Sequence, residues 1–216
     1  MIPVLYEDND LLVCLKPSGL LSQDGPGGDV PSLLRTQCRS EIYPVHRLDR
    51  DAGGVMVYGK TQKSAAALSA AIQRHELDKQ YLCVVQGRPR ENEGTYTDLL
   101  FHDKTRNKTF VVQRMRGGVK EASLSYRVLE CREGMALVLV TLHTGRTHQI
   151  RVQFASRRTP LLGDRKYGGG SGTLALWSFR LSFRHPVTGK QLTFSHLPQG
   201  APWSAFLYTG PAQSQP

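Results

Sequence analysis

From Met135 to Arg158 the chain reads MALVLVTLHTGRTHQIRVQFASRR. The opening part, Met135 to Leu142, is almost wholly apolar and rich in β-branched side chains, as a central strand would be. Thr147 to Arg158 then reads as a helix, with Ile150, Phe154 and Ala155 on one face and Arg151 on another. Outward from this strand–helix pair the signals are mostly strands. Tyr96 to Leu129 holds several short strand candidates separated by turn residues, Gly117-Gly118 among them, and Lys79 to Gln86 alternates as a strand does. Thr61 is placed to cap a helix over Gln62 to His75, whose alanines and Leu68 favour it. Gly54 to Tyr58 is a buried-strand candidate, Ser32 a candidate N-cap for a short helix through Arg39, and Leu11 to Leu15 an apolar run broken by Lys16-Pro17-Ser18-Gly19. Two more strand candidates, Leu174 to Phe183 and Gln191 to Phe194, complete the pattern. Strands in runs with a few helices interposed predict an α+β fold on a largely antiparallel sheet. With no repeat and no low-complexity linker, residues 1–210 are expected to form a single domain and 211–216 a frayed tail.

The chain has 216 residues, 39% hydrophobic and 21% charged, which describes a folded globular protein rather than a disordered one. No stretch approaches the ~18–20 apolar residues that span a bilayer. Met1 to Asp10 lacks a basic start with an apolar run after it, so a cytoplasmic protein is expected. The four cysteines, Cys14, Cys38, Cys83 and Cys131, stand singly. They read as buried small hydrophobes, not as a disulfide framework or a zinc site. Lys and Arg number 28 against 18 Asp and Glu, a net charge of 28 − 18 = +10. That excess favours a polyanionic partner, nucleic acid ahead of membrane. The charge is also segregated. Lys104, Arg106, Lys108, Arg114, Arg116 and Lys120 fall in a stretch without one acidic residue, and Arg146, Arg151, Arg157, Arg158, Arg165 and Lys166 face only Asp164. Such a surface suits a phosphate backbone.

Three segments could carry chemistry. Pro44 to Asp51 packs His46, Arg47, Asp49, Arg50 and Asp51 into a loop just ahead of a hydrophobic strand. Positive neighbours favour the carboxylate form of an Asp, which suits a nucleophile or base better than an acid; the competing account is an ion-pair knot that pins the loop. His143 to Arg151 opens a helix, where unpaired backbone N–H groups favour anions and Arg146 and Arg151 could bind phosphate or neutralise a carboxylate. Its two His lack a partner carboxylate or Cys, so no metal is expected there. Tyr81 lies in an alternating strand and reads as core, or as a ring to stack on a base. Phosphate loops, G-x-S-x-G and H-E-x-x-H are absent, and no cofactor is expected.

Together these segments resemble the RluA-type RNA pseudouridine synthases. His46-Arg47-Leu48-Asp49-Arg50 matches that family's H-R-L-D-R signature. Tyr6 to Val13 with Lys16-Pro17-Ser18-Gly19 resembles its first motif, and Lys79-Gln80-Tyr81 its K-x-Y. Thr144 to Arg151 with Leu162 to Gly168 matches the T-G-R-x-H-Q-I-R and G-D-x-x-Y-G pair. The likeness runs from about Tyr6 to about Pro198. Where the family continues with x-T-S-G, this chain has Asp51-Ala52-Gly53-Gly54. Many relatives also carry an N-terminal S4-type RNA-binding domain, for which no room is expected here.

The resemblance implies a pseudouridine synthase fold, a mixed and mainly antiparallel sheet with flanking helices and a central cleft. It implies isomerisation of uridine in rRNA or tRNA without cofactor or metal, by a protein taken as a monomer. Asp49 would be the catalytic carboxylate, Arg151 the basic residue paired with it, and Tyr81 the ring against the target uracil. Arg47 would fill the space left by the flipped base. Arg50, Arg146, His148, Arg114, Arg116, Arg157, Arg158 and Arg165 are the further expected RNA contacts. Two alternatives stay open: a non-catalytic RNA-binding or RNA-folding protein, and a hydrolase using Asp49 with His46 or His148.

Overall fold

The computed structural model describes residues 1–210, so the tail expected at 211–216 lies outside the described residues. The chain divides into two compact units: residues 1–79 with 177–198, and residues 80–176 with 199–210. Two of these boundaries, 79/80 and 176/177, fall within strands, where the sequence shows no linker, and the third falls at Pro198-Gln199-Gly200.

The first unit is built on β1 (Val4–Glu7), β2 (Leu11–Lys16), β3 (Tyr43–Pro44), β4 (Gly53–Gly59), β10 (Leu176–Arg184) and β11 (Gln191–Ser195). β1 pairs with β2, β2 with β4, β3 with β4 and β10 with β11, all antiparallel. β4 and β10 are parallel, through Trp177 opposite Gly53 and Ser178 opposite Gly54. β4 is buried along its whole length, as its apolar run predicts. Its valines, with Leu11, Val13, Leu181 and Phe183, form a core closed by Leu68 of α2 (Gln62–Gln73). Thr61 caps α2 as expected, in a reciprocal box in which Thr61 Oγ1 accepts from the Ser64 N–H and Ser64 Oγ from the Thr61 N–H. α1 (Val30–Cys38) is capped by Asp29, not Ser32: the Asp29 carboxylate accepts from the Ser32 N–H at 2.7 Å. Asp29 sits just before Pro31, and a proline in the first turn marks the cap upstream of itself.

The second unit is an antiparallel sheet in the order β5 (Asp78–Gln86), β9 (Met135–Leu142), β8 (Val119–Arg132), β6 (Glu93–Asp103), β7 (Lys108–Val112). Of the short strands expected between Tyr96 and Leu129, β7 is one of five residues, while the others are parts of the longer β6 and β8. Tyr96, Tyr126 and Phe154 cluster with ring centroids 4.5 to 5.7 Å apart, fixing α3 (Gln149–Ala155) on the sheet. α3 is shorter at both ends than expected, because His148 at φ 54 and Arg158 at φ 63 leave the helical region. Cys14 and Cys83 are buried as expected, whereas Cys131 is exposed and Cys38 half-buried. Among the described residues no helix is long and apolar enough to cross a membrane.

Candidate active site

In the first unit, the loop that carries Asp49 is held from beneath by Lys16. This lysine ends β2, is fully buried, and donates from Nζ to the carbonyls of Pro17 (2.9 Å), Arg50 (2.9 Å) and Ala52 (2.6 Å). An ammonium has three N–H donors, and each has an acceptor. Burial pulls the Lys16 pKa down to about 8, against the pull of Asp51 and Asp49 that favours its charge. Ser22 Oγ grips Leu48 at both ends, donating to its carbonyl and accepting from its N–H. Ser18 Oγ donates to the Asp51 carbonyl, and Arg50 Nε to that of Gly19. Backbone on either side of Asp49 is thus fixed, which pre-organises a carboxylate at low entropic cost. Asp49 itself is half-buried, and Arg47 and Arg50 are exposed.

After Asp51, Ala52 and Gly53 replace the Thr and Ser of the motif the loop resembles, Gly54 matches its Gly, and both glycines have a local reason. A Cβ on Gly53 would lie 2.5 Å from the Trp177 ring, and one on Gly54 would lie 2.3 Å from the Ser178 carbonyl oxygen. Trp177 occupies the room a side chain at 53 would take. The bonds that hold the loop come from Lys16, Ser18 and Ser22.

His46 does not suit the hydrolase alternative. Its Nε2 accepts from the Val57 N–H at 3.2 Å, and burial, with Lys79 nearby, pushes its pKa down to about 3. It is a neutral strut on β4. Asp8, Asp10 and His185 also converge, with ligand-type atoms within 4.8 Å. The Asp8 carboxylate there already accepts from the Tyr6 hydroxyl, the N–H groups of Asp10 and Leu11, and His185 Nε2. His185 Nδ1 in turn accepts from the N–H groups of Val187 and Thr188. Asp8 and His185 thus form a hydrogen-bonded corner.

In the second unit, Tyr81 lies on β5 opposite Val140 of β9 and is buried. Arg151, on α3, is gripped by Asp164: Nε donates at 2.7 Å to one carboxylate oxygen and a terminal nitrogen at 2.8 Å to the other. Both side chains are almost wholly removed from solvent. Asp164 also accepts from the N–H groups of Lys166 and Tyr167, and Gly163, at φ 75, turns the chain where a Cβ would strike the Thr173 carbonyl. Tyr167 lies 5.3 Å beneath the Arg151 guanidinium; its hydroxyl accepts from the Thr109 N–H and meets His148 Nδ1 at 2.9 Å. The G-D-x-x-Y-G segment therefore orients Arg151 and His148 together. Sequence reasoning passes over Asp164 and Tyr167 as individual site residues; the signal for them is that segment's motif, in which the only acid of a basic stretch recurs.

His148 is buried, and Arg157 is drawn inward: its guanidinium pairs with Asp98 at 2.9 Å and stacks 3.9 Å over Tyr96. Both hold this unit together. Arg114, Arg116, Arg146, Arg158 and Arg165 are exposed. Gln149 ties the turn before α3 to β8: Oε1 accepts from the Arg146 N–H and the Thr144 hydroxyl, while Nε2 donates to the Ser123 carbonyl.

The architecture is that of the pseudouridylate synthases. Human RNA pseudouridylate synthase domain containing 4 superposes with a TM-score of 0.76 over 91% of this chain and 89% of that one, at 23% identity. Human RNA pseudouridylate synthase domain containing 1 does so with 0.77 over 92% and 84%, at 20% identity. A sequence profile of the RNA pseudouridylate synthase family matches residues 10–156. The chain is 33% identical to the uncharacterized RNA pseudouridine synthase YhcT of Bacillus subtilis, over 87% of its own length and 65% of that protein's. It is 30% identical to ribosomal large subunit pseudouridine synthase D of Zymomonas mobilis, over 92% of its length and 70% of that one's. The chain belongs to the RNA pseudouridylate synthase family, as its motifs indicated.

Proposed function

We propose that this protein converts uridine in RNA to pseudouridine, with Asp49 as the catalytic carboxylate. The observation that carries this reading is the bracing of the Asp49 loop by the fully buried Lys16, within the stretch that matches the family. In the reaction the N1–C1′ bond breaks, the uracil turns, C5 bonds to C1′, the C5 proton leaves and N1 gains one. Composition and oxidation state are unchanged, so the step calls for neither cofactor nor metal. Asp49 either attacks C1′ or removes the 2′ proton; either role needs an ionised carboxylate on a fixed backbone. Tyr81 is assigned to the uracil and Arg151 to the carboxylate. The bidentate grip of Asp164 supports an orienting role for Arg151, since it fixes the guanidinium plane. The target base must leave its stack to be reached, with Arg47 taking its place.

Arg50, Arg114, Arg116, Arg146, Arg158 and Arg165 are assigned to the RNA backbone, their exposure supporting it. His148 and Arg157 contribute by holding α3 in place. The name of the Zymomonas relative makes large-subunit rRNA the first substrate to test, with tRNA next. The test is tritium release from RNA carrying [5-³H]uridine, since a C5–C1′ bond must expel that hydrogen. Release is expected from the wild type and not from Asp49→Asn. Binding without release by the wild type on both RNA pools would favour an RNA-binding protein on the same scaffold.

A further inference from the structure

The strand order of the second unit places β6 between β7 and β8. Val112 ends β7 one residue beyond Val111, which pairs with Leu100 of β6, and Val119 opens β8 opposite Phe101. The connecting residues 113–118 must therefore cross a face of β6, a span of two inter-strand spacings, about 10 Å. Leu100 points to the face where Val152 of α3 packs; Phe101, the next residue, points to the other. The crossing segment lies on that other face. The Arg116 guanidinium sits 5.2 Å over the Phe101 ring, and a Cβ on Gly118 would lie 3.4 Å from the same ring. The Arg116 carbonyl accepts from the Val119 N–H at 3.0 Å. The second half of the segment is thereby fastened, and its crest is Met115, 61% exposed between the exposed Arg114 and Arg116.

A single exposed apolar side chain is ordinary, but the setting of this one is not. It stands within Lys104 to Lys120, a stretch of six cations and no acidic residue, of which Arg106 pairs with Asp103 just outside it. A polyanion drawn to that charge presents base faces beside its phosphates, and a thioether packs well against a π face. We propose that Met115 is a base-contacting residue, packing on the face of an unpaired RNA base while Arg114 and Arg116 hold the flanking phosphates. This rests on the RNA reading above and adds the kind of RNA recognised: a splayed loop, not continuous duplex, because only an unstacked base offers its face.

The test is binding of a uridine-loop RNA hairpin, and of the same hairpin with abasic sites in the loop, across a salt series. Met115→Ala should weaken binding to the intact hairpin about three- to tenfold, leave the salt slope unchanged, and make no difference on the abasic hairpin. Met115→Leu should bind within about twofold of wild type. Arg114→Ala should instead make the slope shallower by about 0.7–1. Wild-type affinity in Met115→Ala, or an equal loss on both hairpins, would overturn the assignment. Failure of the wild type to bind either hairpin would remove the RNA reading itself, and this proposal with it.

Discussion

A buried ammonium with three carbonyl acceptors has no slack, so any change at Lys16 is felt by the loop above it. Lys16→Met leaves the Pro17 and Ala52 carbonyls without this donor, while the Arg50 carbonyl keeps the Gly19 N–H at 2.8 Å, at about 1–3 kcal/mol for a buried group left unsatisfied. The variant should melt earlier and lose tritium release while keeping Asp49. Because the folded pKa of Lys16, about 8, lies below the ordinary 10.5, the unfolded chain holds the proton longer. The cost of burying this charge is in full force below about pH 8, and stability from this group rises as pH climbs toward 10.5. Urea unfolding at pH 7.5 and 10 should show that rise in the wild type relative to Lys16→Met, in which it is absent. Asp8 has the opposite sense. Burial pushes its carboxyl up, but the hydrogen bonds from Leu11, Tyr6, Asp10 and His185 outweigh this and hold it down to about 2, against 3.8. Its contribution is present above pH 3.8 and lost as pH falls toward 2, so Asp8→Asn should cost stability at pH 6 and little at pH 2. Asp164→Ala removes both carboxylate bonds from the buried Arg151, a loss of about 3–5 kcal/mol, read as a lowered melting temperature.

Elements whose signals are local are legible in the sequence, and those set by tertiary contact are not. Thr61 and the alanines of α2 predict that helix to within two residues, and β4 and β9 announce themselves as apolar runs. Thr61→Ala should remove about 1 kcal/mol, measurable by denaturant titration. The sequence overextends α3 because the apolar spacing says nothing of the His148 backbone, which turns left-handed as Gln149 is drawn to β8. The loop of Asp49 stands out by its charge density, yet its support is hidden. Lys16 is 33 residues upstream of Asp49 in the chain, and no periodicity reports a lysine aimed inward. Likewise Asp164 reads in sequence as a lone acid among cations and in the structure as the clamp on Arg151.

The charge of the full chain, +10, has a measurable signature. RNA affinity should fall steeply with salt, and the double variant Arg114→Glu/Arg116→Glu should bind far more weakly with a slope shallower by about 1–3. Both side chains are exposed, so Arg114→Glu should move stability by no more than about 0.5 kcal/mol, while Arg116→Glu also gives up its contact with the Phe101 ring, worth about 0.5–1 kcal/mol. An unchanged slope would take residues 113–118 off the RNA surface. The pairing of Gly53 with Trp177 carries a different kind of consequence. The ring stands 2.5 Å from where a Cβ at 53 would be, so a serine cannot return to that position while the tryptophan remains. Nor can the tryptophan shrink without opening a void above the glycine. The two positions form one inherited unit: among relatives, a side chain at the first should travel with a smaller residue at the second, and a drift that altered either alone would be selected against until the other changed with it.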